Sequence, residues 1–148
     1  MKAYCGIDPG QKGALSIVYE DGKVEIIPYD QQAYMDALAS LPVGETFCAL
    51  EEVHAMPKQG VVSTFNFGKG FGWLLGVLDC IGIPYQLFRP QQWKKNFGVT
   101  KDKSSSIMAA RRLFPRVSLK RTERSFKDDD NIAESLLLAD LARRIYKE

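Results

Sequence analysis

The sequence predicts an α/β fold with a mixed five-stranded sheet flanked by helices. Three short apolar runs joined by tight-turn signals open the chain. Helical and strand-like segments then alternate, and helical segments close it.

Residues 2–8 (KAYCGID) read as a buried strand ending at Asp8. PGQKG supplies a turn, and ALSIVYE continues as the second strand. Asp21-Gly22 lies between that strand and KVEIIPY, a two-residue hairpin signal. Residues 31–40 (QQAYMDALAS) suit a helix with Ala33, Leu38 and Leu41 near one face, closed by Leu41, Pro42 and Gly44. TFCALEEV, from Thr46, is a fourth strand carrying Glu51 and Glu52 at its end, and HAMPKQG is a loop. From Val61 to Gly82 the pattern is helical despite several glycines, and IPYQLF is the fifth strand. PQQWKKNF opens a helix with Pro90 in its first turn. Residues 103–114 form a helix begun by the serine run and ended by Phe114-Pro115. After a basic loop at 116–127, the last helix carries acids at its positive end and Arg143, Arg144 and Lys147 near its negative end. No repeat or linker interrupts this order, so residues 1–148 are expected to form a single domain.

Hydrophobic residues at 45% and charged residues at 26% exclude a disordered or fibrous chain. No stretch approaches the roughly 20 apolar residues of a membrane span, and MKAYCGIDPG does not read as a signal peptide. Cys5, Cys48 and Cys80 sit in apolar contexts without a CxxC pair, which predicts buried thiols in a reducing, cytoplasmic setting. The net charge of +2 hides an asymmetry. Residues 1–90 hold 6 Lys/Arg against 10 Asp/Glu, whereas residues 91–127 hold 11 against 2. A block that basic suits a polyanion touching one side of the molecule, although a solvated basic surface gives the same count.

The informative residues are acidic and lie at element ends. Asp8 ends the first strand and Glu51 the fourth, and Asp130 and Glu134 stand four apart at the start of the last helix. At 100° per residue, Leu137 and Leu141 share their stripe, so a helix packing those leucines on the sheet turns both acids inward. Clustered carboxylates repel and are costly to desolvate, and a hard divalent cation is the natural compensation. Each acid also has a plainer use. Asp8 shapes a turn, one of Glu51 and Glu52 faces outward on a strand, and aspartates at 128–130 cap any helix.

Together these segments resemble the RuvC family of Holliday junction resolvases, particularly its short phage-type members. GIDPGQKGAL at 6–15 is similar to the family's opening strand and Asp-Pro-Gly, whose aspartate is a metal ligand. ALEEVHAMPKQGVVSTFNFGKGFG at 49–72 resembles the second motif, whose register selects Glu51 over Glu52. DNIAESLLLA at 130–139 is similar to the closing helix, with Asp130 and Glu134 in the acidic slots. PQQWKKNFGVTKDKS at 90–104 resembles the basic segment near the scissile phosphate, with Lys94 and Lys103 matching its two lysines and Lys95 or Lys101 as substitutes. The founding branch carries two aspartates three apart in the last helix, where this chain has Asn131 at the nearer position.

The resemblance implies a ribonuclease-H-like fold and two Mg²⁺ ions per site held by Asp8, Glu51, Asp130 and Glu134, with Mn²⁺ as a substitute. It also implies a homodimer that nicks branched DNA, above all four-way junctions. Lys94, Lys95, Lys101, Lys103 and Arg111 are the candidate phosphate contacts. Phe65 is the candidate for stacking at the junction centre, while Trp73, Leu74 and Leu78 read as packing. His54 is a candidate proton donor or loop residue, and Trp93 an anchor for its helix. Competing readings are a nuclease of the same fold acting on forks, flaps or RNA, and a non-catalytic DNA-binding module. Sugar-kinase-like ATPases need phosphate loops and a second lobe that 148 residues hardly accommodate.

Overall fold

Strand β1 (Ala3–Asp8) lies at the middle of a five-stranded sheet ordered β3-β2-β1-β4-β5, with β2 at Ala14–Tyr19, β3 at Val24–Pro28, β4 at Thr46–Glu51 and β5 at Tyr85–Phe88. The computed structural model describes residues 1–54 and 57–147. The first three strands pair antiparallel, as their tight turns require, whereas β1 with β4 and β4 with β5 pair parallel through helical crossovers. The sheet is therefore mixed and five-stranded, as the sequence predicts.

Both faces are covered. Cys5, Ile7, Leu15, Ile17, Cys48 and Leu50 point into a core closed by α1 (Gln31–Ala39) and α2 (Val61–Ile81). Tyr4, Ala14, Val18 and Ala49 point the other way, against α3 (Pro90–Asn96), α4 (Lys103–Leu113) and α5 (Asp130–Tyr146). Side chains alternate along a strand, so Asp8 follows Tyr4 and Gly6 onto the α5 face. Glu51 follows Phe47 and Ala49 there by the same parity. The parallel register pairs Gly6 with Ala49 and Ile7 with Leu50, which brings the ends carrying Asp8 and Glu51 side by side.

Helix α5 packs directly on β1 at Gly6. A Cβ there would run into the Ala139 amide nitrogen and the Ser135 carbonyl oxygen. Ser16 and Ser135 hydroxyls complete the contact at 2.7 Å. With α4 against its other side, α5 is buried from Ser135 through Ala142 rather than along one leucine stripe. The buried run includes Asp140, whose two carboxylate oxygens accept from Arg143 and Arg144 at 2.6–3.0 Å. These arginines therefore neutralise a buried acid rather than only facing the helix dipole.

Several local expectations change. Helix α4 is capped by Asp102, which accepts from the Ser104 amide, and not by the serines, because the carboxylate two positions before Ser104 holds the N-cap place. In α1 the buried positions are Tyr34 and Leu38, while Ala33 is only half-buried. Cys5 and Cys48 are buried as expected, but Cys80 is exposed, because it lies on the side of α2 turned away from the sheet. Helix α2 ends at Gly82, where φ is +92°. Among the described residues, no helix is long and apolar enough to cross a membrane.

Candidate metal centre

The four acids named from sequence meet at one end of the sheet. Asp8 is 7% exposed at the end of β1, and the charges of Glu51, Glu134 and Asp130 all reach it. Burial holds its carboxyl well above the usual carboxylate range. The three neighbouring acids push it further up, and Lys94 opposes them. Glu134 is also raised, first by burial, with Lys94 pulling it down and Glu51 and Asp130 pushing it up. Glu51 is raised by burial against a hydrogen bond from Trp93 and the charge of Lys94.

The backbone supplies these positions for separate reasons. Gly10 (φ +108°) and Gly13 turn the chain immediately after Asp8, and a Cβ on Gly13 would overlap the Asp8 carbonyl oxygen. Asp129 caps α5 by accepting from the Asn131 and Ile132 amides, so Asp130 and Glu134 follow in its first two turns. Arg121 bridges Asp129 at 2.9 Å and also donates to the Lys12 and Gly13 carbonyls. It thereby ties the basic loop to the turn behind Asp8.

Two of the acids have specific holders. Trp93, fully buried in α3, donates Nε1–H to Glu51 Oε2 at 2.9 Å. Lys94 Nζ stands 3.5 Å from Glu134 Oε1, and Ser106 Oγ donates to Glu134 Oε2 at 3.3 Å. Among the described residues, no three His, Cys, Asp or Glu side chains stand compactly enough to hold a metal ion as placed. The donor set itself fits a hard divalent cation. It is all carboxylate oxygen, burial desolvates Asp8, Glu51 and Glu134, and the acids around Asp8 repel it.

The whole architecture matches solved structures. Thermus thermophilus RuvC in complex with Holliday junction substrate superposes with a TM-score of 0.62 and 16% identity, over 99% of this chain and 95% of that one. A second Thermus thermophilus RuvC structure gives a TM-score of 0.62 and 19% identity, over 98% and 95%. The chain has the RuvC fold. That is a ribonuclease-H-like fold, as the sequence resemblance implies. No family model and no curated protein matches the sequence.

The other candidates scatter around this centre of the RuvC fold. Lys94 is the lysine brought to the carboxylates. Lys103 is the exposed first residue of α4, one turn before Ser106 on the same face. Lys95 and Lys101 are exposed, and Arg111 pairs with Asp128. Phe65 is 68% exposed in the second turn of α2. His54 faces Glu52 at 3.7 Å rather than the four acids, and Glu52 also pairs with Arg89. Part of the loop after His54 lies outside the described residues. Sequence reasoning missed Ser106, Arg121 and the bond from Trp93. Only Trp93 gave a signal, as an indole next to a candidate lysine, since a buried Trp needs a partner for its N–H.

Proposed function

We propose that the chain is a divalent-metal-dependent nuclease that nicks branched DNA, with four-way junctions as its main substrate. The observation that carries the reading is the meeting of buried Asp8 with half-buried Glu51, Asp130 and Glu134 in one mutually repelling group beside Lys94. The RuvC complex with a Holliday junction supplies the substrate class.

In this reading the four acids hold two Mg²⁺ ions, with Mn²⁺ as a substitute. Bound there, the metal supplies an activated water and charge neutralisation for an in-line phosphodiester hydrolysis. Trp93 fixes the rotamer of Glu51, and Ser106 does the same for Glu134. The Lys94 ammonium exchanges part of its pairing with Glu134 for an incoming phosphate oxygen and stabilises charge developing there. Lys103, Lys95, Lys101 and the exposed arginines of 111–124 carry salt-sensitive phosphate contacts along the duplex arms. Phe65 stacks at the junction centre. Paired nicks require two sites, so the working form is a homodimer, in the cytoplasm of a bacterial or phage-infected cell.

The test is cleavage of a labelled four-way junction and its matched linear duplex, with Mg²⁺ and with EDTA. Paired symmetric nicks in the junction alone, abolished by EDTA, are expected. Equal cutting of forks and flaps would broaden the substrate to branched DNA in general. Binding without nicks under any divalent ion would sink the enzymatic reading and leave a DNA-binding module.

A further inference from the structure

A cavity of about 1340 Å³ adjoins the carboxylate centre and is used by none of the roles assigned above. Ile7, Pro9 and Gly10, the residues flanking Asp8, form one wall, and Asn131, the neighbour of Asp130, forms part of another. Tyr29 and Tyr34, with Phe67, Phe71 and Trp73 of α2, add aromatic rings to the lining. Tyr29 meets Tyr34 edge-on at 5.4 Å, and Trp73 lies 6.5 Å from Tyr34 at a 32° tilt. Lys12 and Lys69 bring positive charge to the same cavity.

One atom in this lining is out of keeping with a packing role. Tyr34 is 1% exposed, and its Oη is buried without a hydrogen-bond partner among the described residues. A buried hydroxyl left unpaired costs about 1–3 kcal/mol relative to one that is satisfied, and phenylalanine would fill the same space without that cost. Aromatic walls offer stacking to any nucleobase, worth about 1–3 kcal/mol per base, while a hydroxyl tells one base edge from another.

We propose that this cavity is a nucleobase pocket, which takes an unpaired base from the strand whose phosphate lies at the carboxylate centre and reads it through the Tyr34 hydroxyl. The proposal rests on the nuclease reading for its substrate. The shared wall at residues 7–10 sets the accepted base within a nucleotide or two of the cut. Lys12 and Lys69 hold the adjoining phosphates. A four-way junction supplies the ligand, since bases at its crossover lose stacking and pairing most cheaply.

The test uses the full-length protein and Tyr34→Phe, with junctions randomised at three nucleotides on each side of the crossover. Tyr34→Phe removes only an unpaired hydroxyl, so its melting temperature should equal or exceed that of the wild type. The bound fraction is sequenced in EDTA and the cut fraction in Mg²⁺. Wild type should enrich particular bases at one position, and Tyr34→Phe should flatten that enrichment about three- to ten-fold. An abasic nucleotide at that position should erase the difference between the two proteins. Identical enrichment by both proteins, or no enrichment by the wild type, overturns the pocket while leaving the nuclease standing. If junctions are bound but never cut, the nuclease reading fails, and the pocket is then decided by the bound fraction alone. Failure to bind branched DNA overturns both.

Discussion

Gly6 and Ala139 lie so close that the α5 backbone occupies the space where a side chain on Gly6 would stand. This contact sets the height of α5 above β1, and so how near Asp130 and Glu134 come to Asp8, two residues further along the same strand face. Gly6→Ala must lift α5 or bend β1, because the obstructing atoms are backbone. The expected loss is about 3 kcal/mol or more, at the upper end of overpacking costs. Urea unfolding monitored by circular dichroism measures it. Gly72→Ala in α2 is the control. A Cβ there meets nothing within 4 Å, so the change should stabilise by about 0.5–1 kcal/mol. Equal effects at the two positions would show that the close contact does not fix the helix.

The buried acids give the metal-free protein a distinctive pH dependence. Asp8, Glu51 and Glu134 all have folded pKa values above their ordinary values of 3.8 and 4.5, so each binds its proton more tightly folded than unfolded. Stability from these groups is greatest below those ordinary values. It is lost as pH rises through the raised folded ones. Asp129 has the opposite sign. Partial burial works against it, but Arg121 and the Ile132 and Asn131 amides win and hold it low. Its contribution is present above 3.8 and lost as pH falls. Asp8→Asn removes the Asp8 contribution, and the difference between variant and wild type isolates it. In EDTA the variant should melt higher than wild type at pH 7.5, and the gap should narrow as pH falls toward 4. Mg²⁺ should raise the wild-type melting temperature at pH 7.5 and barely move that of the variant. A gap that does not change with pH would refute the burial argument.

Much of this was legible in the sequence, for identifiable reasons. Asp8, Glu51, Asp130 and Glu134 were readable because strand parity and helical periodicity fix which face a residue shares, and those rules are local. Glu51 and Glu52 could not be separated by composition. The β1–β4 register decides between them, and that register is set by pairing between segments 43 residues apart. The holders of the acids were not legible, since Trp93 to Glu51 and Ser106 to Glu134 are tertiary contacts with no spacing rule. Arg143 and Arg144 misled in the same way, because the burial of their partner Asp140 depends on the sheet and α4 packing on opposite sides of α5.

Trp93 separates packing from positioning. Trp93→Phe keeps a buried ring in α3 but removes the 2.9 Å donor to Glu51. A hydrogen bond to a charged group is worth about 1.5–3 kcal/mol, which corresponds to roughly 10- to 100-fold in rate if Glu51 must keep its rotamer. Single-turnover cleavage should slow by that factor while junction Kd changes less than about two-fold. Should binding and rate fall together, the indole supports the fold rather than the orientation of Glu51.

Lys94 and Lys103 should fail differently, because only one of them stands among the acids. Lys94→Met leaves Glu134 without its cation and removes the charge expected on the attacked phosphate. Its cleavage rate should fall about 100- to 1,000-fold, the range for a lost charge-stabilising donor. Its metal-free form should also melt lower at pH 7.5, since three raised carboxyls lose the charge that opposes them. Lys103→Met, exposed at the head of α4, should leave that melting temperature unchanged. It should weaken junction binding and reduce the salt slope of log Kd by about one. Titrating both variants against salt, with single-turnover rates at saturating protein, distinguishes the two. A Lys103→Met enzyme slowed as much as Lys94→Met at saturation would mean that α4 closes on the phosphate and both lysines act at the reacting centre.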